Sequence, residues 1–313
     1  MRKVIFMKDN IIKKSYISSF NIEDKALKDL MIINTKCLID DAKQRCVYVD
    51  ENRLKDELIY YRFYGDKPKY NNILNILIPI MLSNTNIQKS EEEVVQLIKK
   101  YVKYLKKDEL LFEYLIGAIL YNVVIHSLIE NKNIEYADLL QKMKEKIIGY
   151  SIDLDKLDTI KFQMIRINSL QQIDKYIDLK AEEHNDDKII STILNILYDI
   201  YIENREVDND GINSMKKSIL SILGEEENLN IDNIDFILSM SEYISKLRKY
   251  KINKKIYIQN AEPRKLIGLK EGDTTIDPIL SQITVVSKDF TNNILSIKVK
   301  SKSGIYVLKF KKS

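Results

Sequence analysis

The sequence predicts a mainly α-helical protein: an irregular multi-helix bundle that gives way near its C-terminus to a small β-rich module. Three observations predict it. From about Ile22 to Tyr250, apolar residues recur at helical spacing between short polar turns. After Tyr250, three of the eight glycines and two of the four prolines fall between Pro263 and Gly304, and short runs of Ile, Val, Thr and Tyr replace the long periodic stretches. The charge reverses at the same place. Residues 247–313 hold 15 Lys/Arg against 5 Asp/Glu, a net of +10; the whole chain is +4, which leaves about −6 on residues 1–246. The expected division is a helical body over residues 1–250 and a basic β-rich module over 251–313.

The periodicity predicts helices over Ile22–Arg45, Glu51–Tyr64, Asn71–Ser83, Ser90–Leu105, Asp108–Asn131 and Glu135–Ile148. Four more are expected over Thr159–Ala181, Asp187–Asn204, Asp210–Leu223 and Asn230–Tyr250. Ser90 with Glu93 has the spacing of a capping box, in which two side chains satisfy the orphan amides of a first turn. Asp186 or Asp187 is placed to cap the eighth of these helices. Gly149 and Gly224 stand where helices should stop, and Pro79 should kink the third, because it removes a backbone donor. No repeat period recurs, so a bundle is expected and not a solenoid.

In the module, Lys255–Gln259, Ile283–Ser287, Ile294–Ser301 and Ile305–Phe310 read as strands, the last two as a hairpin turning at Ser303–Gly304. Leu295, Ile297 and Val299 alternate with Ser296, Lys298 and Lys300. Tyr306, Leu308 and Phe310 alternate with Val307, Lys309 and Lys311, so one face of the hairpin should be apolar and the other largely lysine.

Composition narrows the function classes. Cys37 and Cys46 form no CxxC or Cys/His pattern, which argues against a zinc site or disulfide framework and points to a reducing, cytoplasmic setting. The N-terminal MRKVIFMKDNIIKKS has too short an apolar run for a signal peptide. The segment Leu110–Ile129 is apolar enough to resemble a membrane span. It contains Glu113, Asn122 and His126, however, which a central helix of a bundle accommodates more cheaply than lipid, so no span is expected. No GxGxxG, GxxxxGK[ST] or GxSxG motif occurs, and no cofactor is implied.

The candidate chemistry is therefore one of surfaces. Arg248, Lys249, Lys251, Lys254 and Lys255 cluster at the end of the last helix, and Lys298, Lys300, Lys302, Lys309 and Lys311 lie on the terminal hairpin. Together they form a candidate surface for anionic groups or an acidic partner. With 42 lysines against 8 arginines, the chain lacks the bidentate donors that favour specific base reading. A second patch, Tyr60–Tyr64 with Lys67, Lys69 and Tyr70, interleaves aromatics with cations, but adjacent aromatics on one helix cannot share a face, so part of it should be core. His126 has Glu130 one turn on and His184 lies among acids, neither with a full metal-ligand set. The residues 206–211 resemble the start of a calcium loop, but Lys217 stands where a bidentate glutamate is required. The leading expectation is a non-catalytic intracellular interaction or adaptor protein with a protein partner. A nucleic-acid-binding protein using the basic module comes next, then an enzyme of unrecognised class.

Overall fold

The structure, a computed structural model, describes residues 2–185, 187–205, 207, 209–225, 231–252 and 257–311. The chain is mainly α-helical and ends in a four-stranded antiparallel sheet. Eleven α-helices are formed among the described residues: α1 (Arg2–Ser18), α2 (Lys25–Cys37), α3 (Glu51–Tyr64), α4 (Ile78–Ser83), α5 (Ile87–Tyr104), α6 (Leu111–Glu130), α7 (Tyr136–Gly149), α8 (Lys156–Ile177), α9 (Ile189–Tyr201), α10 (Asp210–Leu223) and α11 (Ile234–Arg248). Strands β1 (Leu38–Asp41) and β2 (Cys46–Val49) make a small hairpin between α2 and α3. Strands β3 (Thr274–Asp277), β4 (Ser281–Thr291), β5 (Ile294–Ser301) and β6 (Gly304–Lys311) form the C-terminal meander in that order.

Helix α6 is the axis of the bundle. Sixteen of its residues from Phe112 to Leu128 are buried, as a helix apolar on every side requires. Among the described residues it is the one helix long and apolar enough to cross a membrane, and 89% of its most apolar stretch is covered by the rest of the chain. Helices α4, α5, α7, α8, α9 and α10 pack around it. Its approach to α9 is set by Gly117, where a Cβ would lie 2.9 Å from Cγ2 of Ile189 and 3.2 Å from Cδ1 of Leu74. Gly117→Val is therefore expected to destabilise the chain by about 1–3 kcal/mol through overpacking. Gly149→Ala, at a position with nothing within 4 Å, should leave the denaturant midpoint unchanged or raise it slightly.

Several expectations are corrected. The helix predicted over Ile22–Arg45 ends at Cys37, and the hairpin follows; Asp41 accepts the amides of Lys43 and Gln44 and so turns the chain, with Arg45 in the left-handed region. The stretch Arg2–Ser18, for which no helix was expected, is α1; it packs on α10, with Ser15 bonded to Ser218 at 2.8 Å and Ser18 to Ser221 at 2.6 Å. Pro79 begins α4 after a 3₁₀ turn over Leu74–Leu77 and kinks nothing, since a first-turn proline has no intrahelical partner to lose. Asn86, not Ser90, caps α5. Ser90 instead bonds to Asn122 of α6 at 2.6 Å, and Glu93 accepts the amide of Val49 in β2 at 2.9 Å. Helix α9 starts after Lys188 with no side-chain cap, and Asp187 accepts from Asn71 at 2.5 Å instead. Gly149 falls inside the last turn of α7, whereas Gly224 ends α10 in the left-handed conformation as expected. Of the strand expected over Lys255–Gln259, residues 255 and 256 lie outside the described residues and 257–259 form no strand. Strand β3 was not anticipated.

The sheet seats on α3, and this explains the aromatic run at residues 60–64. Leu54, Leu58 and Tyr61 face the helical core. Tyr60, Phe63 and Tyr64 face the sheet, where they meet Ile283, Val285, Ile297, Val299, Tyr306, Leu308 and Phe310. Phe63 lies 5.0 Å from the Phe310 ring and Tyr64 4.7 Å from the Tyr306 ring, both tilted as aromatic quadrupoles favour. Arg62 lies over the ring of Tyr104. Polar contacts complete the seat. Asp277 accepts the amides of Ile279 and Leu280 with one oxygen and the Tyr60 hydroxyl, at 2.5 Å, with the other. Arg53 donates to the carbonyls of Pro278 and Ile279, Lys36 donates to that of Ile279, and both cations meet the fully buried Glu57.

Candidate functional site

The pairing of β4, β5 and β6 decides what the sheet shows to solvent. Asn292 and Asn293, both with positive φ, close the β4–β5 hairpin as the two central residues of a primed turn. Residues 302 and 303 close the β5–β6 hairpin, with Ser301 opposite Gly304. In that register Leu295 faces Phe310, Ile297 faces Leu308 and Val299 faces Tyr306, all on the side of α3. The alternate residues form the outer face: Ile294 opposite Lys311, Ser296 opposite Lys309, Lys298 opposite Val307 and Lys300 opposite Ile305. The apolar/lysine division read from the sequence is thus the one the sheet adopts.

The outer face is less purely cationic than the alternation implied. Three of its four lysines stand directly across from an aliphatic residue, so their methylene stems can lie along Ile294, Val307 and Ile305 with the ammonium groups in water. Ile305 is 52% exposed, and Ile276 on β3 is 83% exposed. Val286, the extra residue at the register shift in β4, is exposed as well. Asp289, across from Ser296, is the acid on this part of the face. Strand β6 is one edge of the sheet, and Lys309 and Lys311 along it oppose indiscriminate strand addition. The exposed aliphatics are the part of the surface that sequence reasoning missed. Their signal was present as β-branched residues in the same parity as the lysines.

The ten cations singled out in the sequence do not form one surface. Lys298, Lys300, Lys309 and Lys311 share the outer face, and Lys302 is exposed at the adjoining turn. Arg248 donates to the carbonyls of Leu82 and Asn84, closing the C-terminal end of α4. There burial, ahead of any neighbouring charge, brings its pKa down to about 10. Lys249 pairs with Asp9 of α1. Lys251 is exposed, and Lys254 and Lys255 lie outside the described residues. The helix-end cluster is therefore spent in part on holding the bundle together.

Other candidate chemistry resolves into packing. His126 is buried in α6. His184 bonds to Asp199 at 2.7 Å, and Asp199 also accepts from Arg205 at 2.6 Å, which ties the α8–α9 connection to α9. Asn209 caps α10, and Asp210 accepts the amide of Asp24 at 3.0 Å. Among the described residues no three His, Cys, Asp or Glu side chains converge as metal ligands. A cleft of about 650 Å³ lies between α9 and α10, lined by Asp199, Arg205, Lys216, Lys217 and Glu225. Its guanidinium is occupied by Asp199, Asn195 and the carbonyl of Glu182, and Lys216 by Asn204 and the carbonyl of Arg205. The chain matches no protein-family model, and neither the curated proteins nor the solved structures contain a match to it.

Proposed function

We propose that this chain is a non-catalytic, cytoplasmic interaction protein that binds an acidic protein segment on the outer face of its C-terminal sheet. The observation that carries the reading is the pairing of Lys298, Lys300 and Lys311 with Val307, Ile305 and Ile294 across β5 and β6. Such a face offers charge for steering and aliphatic surface for desolvated contact, the two ingredients of a specific protein interface. The matching ligand is an extended segment that alternates Asp or Glu with aliphatic side chains. Single-stranded nucleic acid is a poorer fit, because its recognition on a sheet relies on aromatic platforms. Tyr306 and Phe310 point the other way, into the core against α3.

The test uses the full chain and a displayed library of acidic–aliphatic peptides, with single- and double-stranded oligonucleotides as competitors. Binding of the peptides is expected, and Lys298→Glu/Lys300→Glu/Lys309→Glu should weaken it by at least about tenfold, given some 0.5–1 kcal/mol for each rim charge. Tighter binding of the oligonucleotides, with an affinity falling steeply with salt, would move the assignment to nucleic acid. No retention of either ligand at low salt would end the proposal.

A further inference from the structure

Among the described residues, each sheet edge but one is closed or short. On the small hairpin, the Asn84 amide takes both the N–H and the C=O of Val47, at 2.8 Å each, and Glu93 takes the N–H of Val49. Tyr243 of α11 takes the carbonyl of Leu38 on β1. In the C-terminal sheet, β3 is an edge of only four residues. Where β4 runs on past it, Val285 bonds to the backbone of Gly272 and Asp273, and the Glu271 carboxylate takes the N–H of Lys288. Such covers are how folded proteins suppress unwanted strand pairing. Strand β6, the opposite edge, is eight residues long and has none of them. Its two-residue turn makes Ser301 and Gly304 a hydrogen-bonded pair, so by alternation Tyr306, Leu308 and Phe310 are the residues that bond to β5. The N–H and C=O groups of Ile305, Val307 and Lys309 point the other way, off the edge of the sheet. No bond to them is formed among the described residues.

We propose that β6 is the seat of a fifth strand, in which an acidic protein segment pairs antiparallel with residues 305–311 through its backbone. This rests on the outer-face reading given above and adds how the segment is held. The open backbone identifies the occupant as a strand, because a row of donors and acceptors at strand spacing is completed by another extended chain. The lysines identify its charge. Ile305, Val307, Lys309 and Lys311 carry their side chains on the outer face, with Lys298 and Lys300 beside them on β5. A residue paired with Lys309 or Lys311 places its own side chain on that face roughly 5 Å away, where opposite charge is favourable and like charge is not. A second copy of β6 would instead set the lysines of two outer faces side by side. The intervening residues of the segment turn toward α3, where Phe63 and Tyr64 are only half-buried. Strand pairing therefore calls for acids on one face of the segment and aliphatics on the other, the same alternation that the outer face calls for.

Residue-resolved amide exchange of the full chain tests the inference, with a capped eight-residue peptide alternating Glu and Val as the probe, matched to the length of β6. In the free protein Tyr306, Leu308 and Phe310 should exchange slowly, and Ile305, Val307 and Lys309 fast. Saturation with the peptide should slow the second set by at least about tenfold, the effect of one added hydrogen bond. Val307→Pro supplies the companion measurement. The N–H of Val307 is not part of the β5–β6 ladder, so proline there sacrifices no internal bond, and the melting curve checks that the sheet survives. The variant should bind the peptide at least about tenfold more weakly, since it lacks a donor on the open edge. A peptide alternating Lys and Val presents the same pattern with the charge reversed and should not bind.

Peptide binding that weakens with Lys298→Glu/Lys300→Glu, yet leaves the amides of Ile305, Val307 and Lys309 fast, overturns strand addition while the acidic-segment reading stands. Affinity indifferent to Val307→Pro has the same meaning. No binding of the Glu/Val peptide by the wild-type chain ends both. Equal binding of the Lys/Val peptide overturns the inference, because the lysines would then select nothing.

Discussion

Replacing Glu57 by alanine is expected to destabilise the chain by about 3–5 kcal/mol, because it removes the anion from a buried ion cluster and leaves two cations behind. Glu57 is fully buried on α3. One of its oxygens accepts from Arg53 at 2.7 Å and lies 2.6 Å from the ammonium of Lys36. The same two cations hold the carbonyls of Pro278 and Ile279, at the turn between β3 and β4. The carboxylate thus fixes the side chains that grip the sheet. Its loss should loosen the seat of the sheet as well as lower global stability. Hydrogen exchange should speed up first in β4–β6, ahead of α6, and the denaturant midpoint should fall. Glu51→Ala is the control. Glu51 meets Lys100 at 2.7 Å on the surface and is 74% exposed, and an exposed pair of that kind is worth less than about 1 kcal/mol. Equal midpoints for the two variants, or faster exchange confined to α2 and α3, would show that Glu57 does not hold the sheet.

That cluster also shows how far the sequence could be read. The bundle and the terminal hairpin were legible because they rest on local periodicity. Helix α10 and strand β5 fall on the residues expected of them, since Asn209, Gly224 and the Asn292–Asn293 turn mark their ends chemically. The run Tyr60–Phe63–Tyr64 was legible as a helix with more than one face, but its second partner was not. Which face meets a sheet more than two hundred residues away is a tertiary fact with no local sign. The same holds for Lys36 and Arg53, ordinary surface residues by composition, which pair with Glu57 and meet the carbonyls of Pro278 and Ile279 only once the sheet is seated.

The misses have equally specific causes. The residues Cys37–Leu38–Ile39 continue the helical spacing of α2, so the break into β1 is set by the Asp41 turn and by pairing with β2, and not by a loss of periodicity. Ser90 and Glu93 have capping-box spacing, but each finds a stronger tertiary partner one turn into α5. The lysine face was located correctly on the hairpin, while its aliphatic component depended on strand register. Arg248 read as a surface cation until the C-terminal end of α4 was in place to receive it.

Lowering the pH from 6.5 to 4 is expected to remove about 3 kcal/mol of stability through His126 alone, at about 1.4 kcal/mol per pH unit for a group protonated only in the unfolded chain. His126 is 8% exposed, and its buried Nε2 has no hydrogen-bond partner among the described residues. Burial, and after it the charge of Arg248, lowers its pKa from 6.5 to about 3. Between those two values the unfolded chain binds a proton that the native imidazole refuses. The contribution is therefore fully present above pH 6.5 and is lost progressively as the pH falls toward 3. Asp29, Glu93 and Glu113 act in the opposite direction, because burial raises their carboxyl pKa values and protonation relieves them as the pH drops. The comparison must for that reason be made against His126→Gln, which keeps those carboxyls and removes the imidazole. Chemical denaturation at a series of pH values should give a steeper loss for the wild-type chain, with the difference growing as the pH falls from 6.5 to 4. Parallel curves, or an imidazole resonance that titrates near pH 6.5 in the folded protein, would mean that water and a proton reach His126 in the folded bundle and would overturn the prediction.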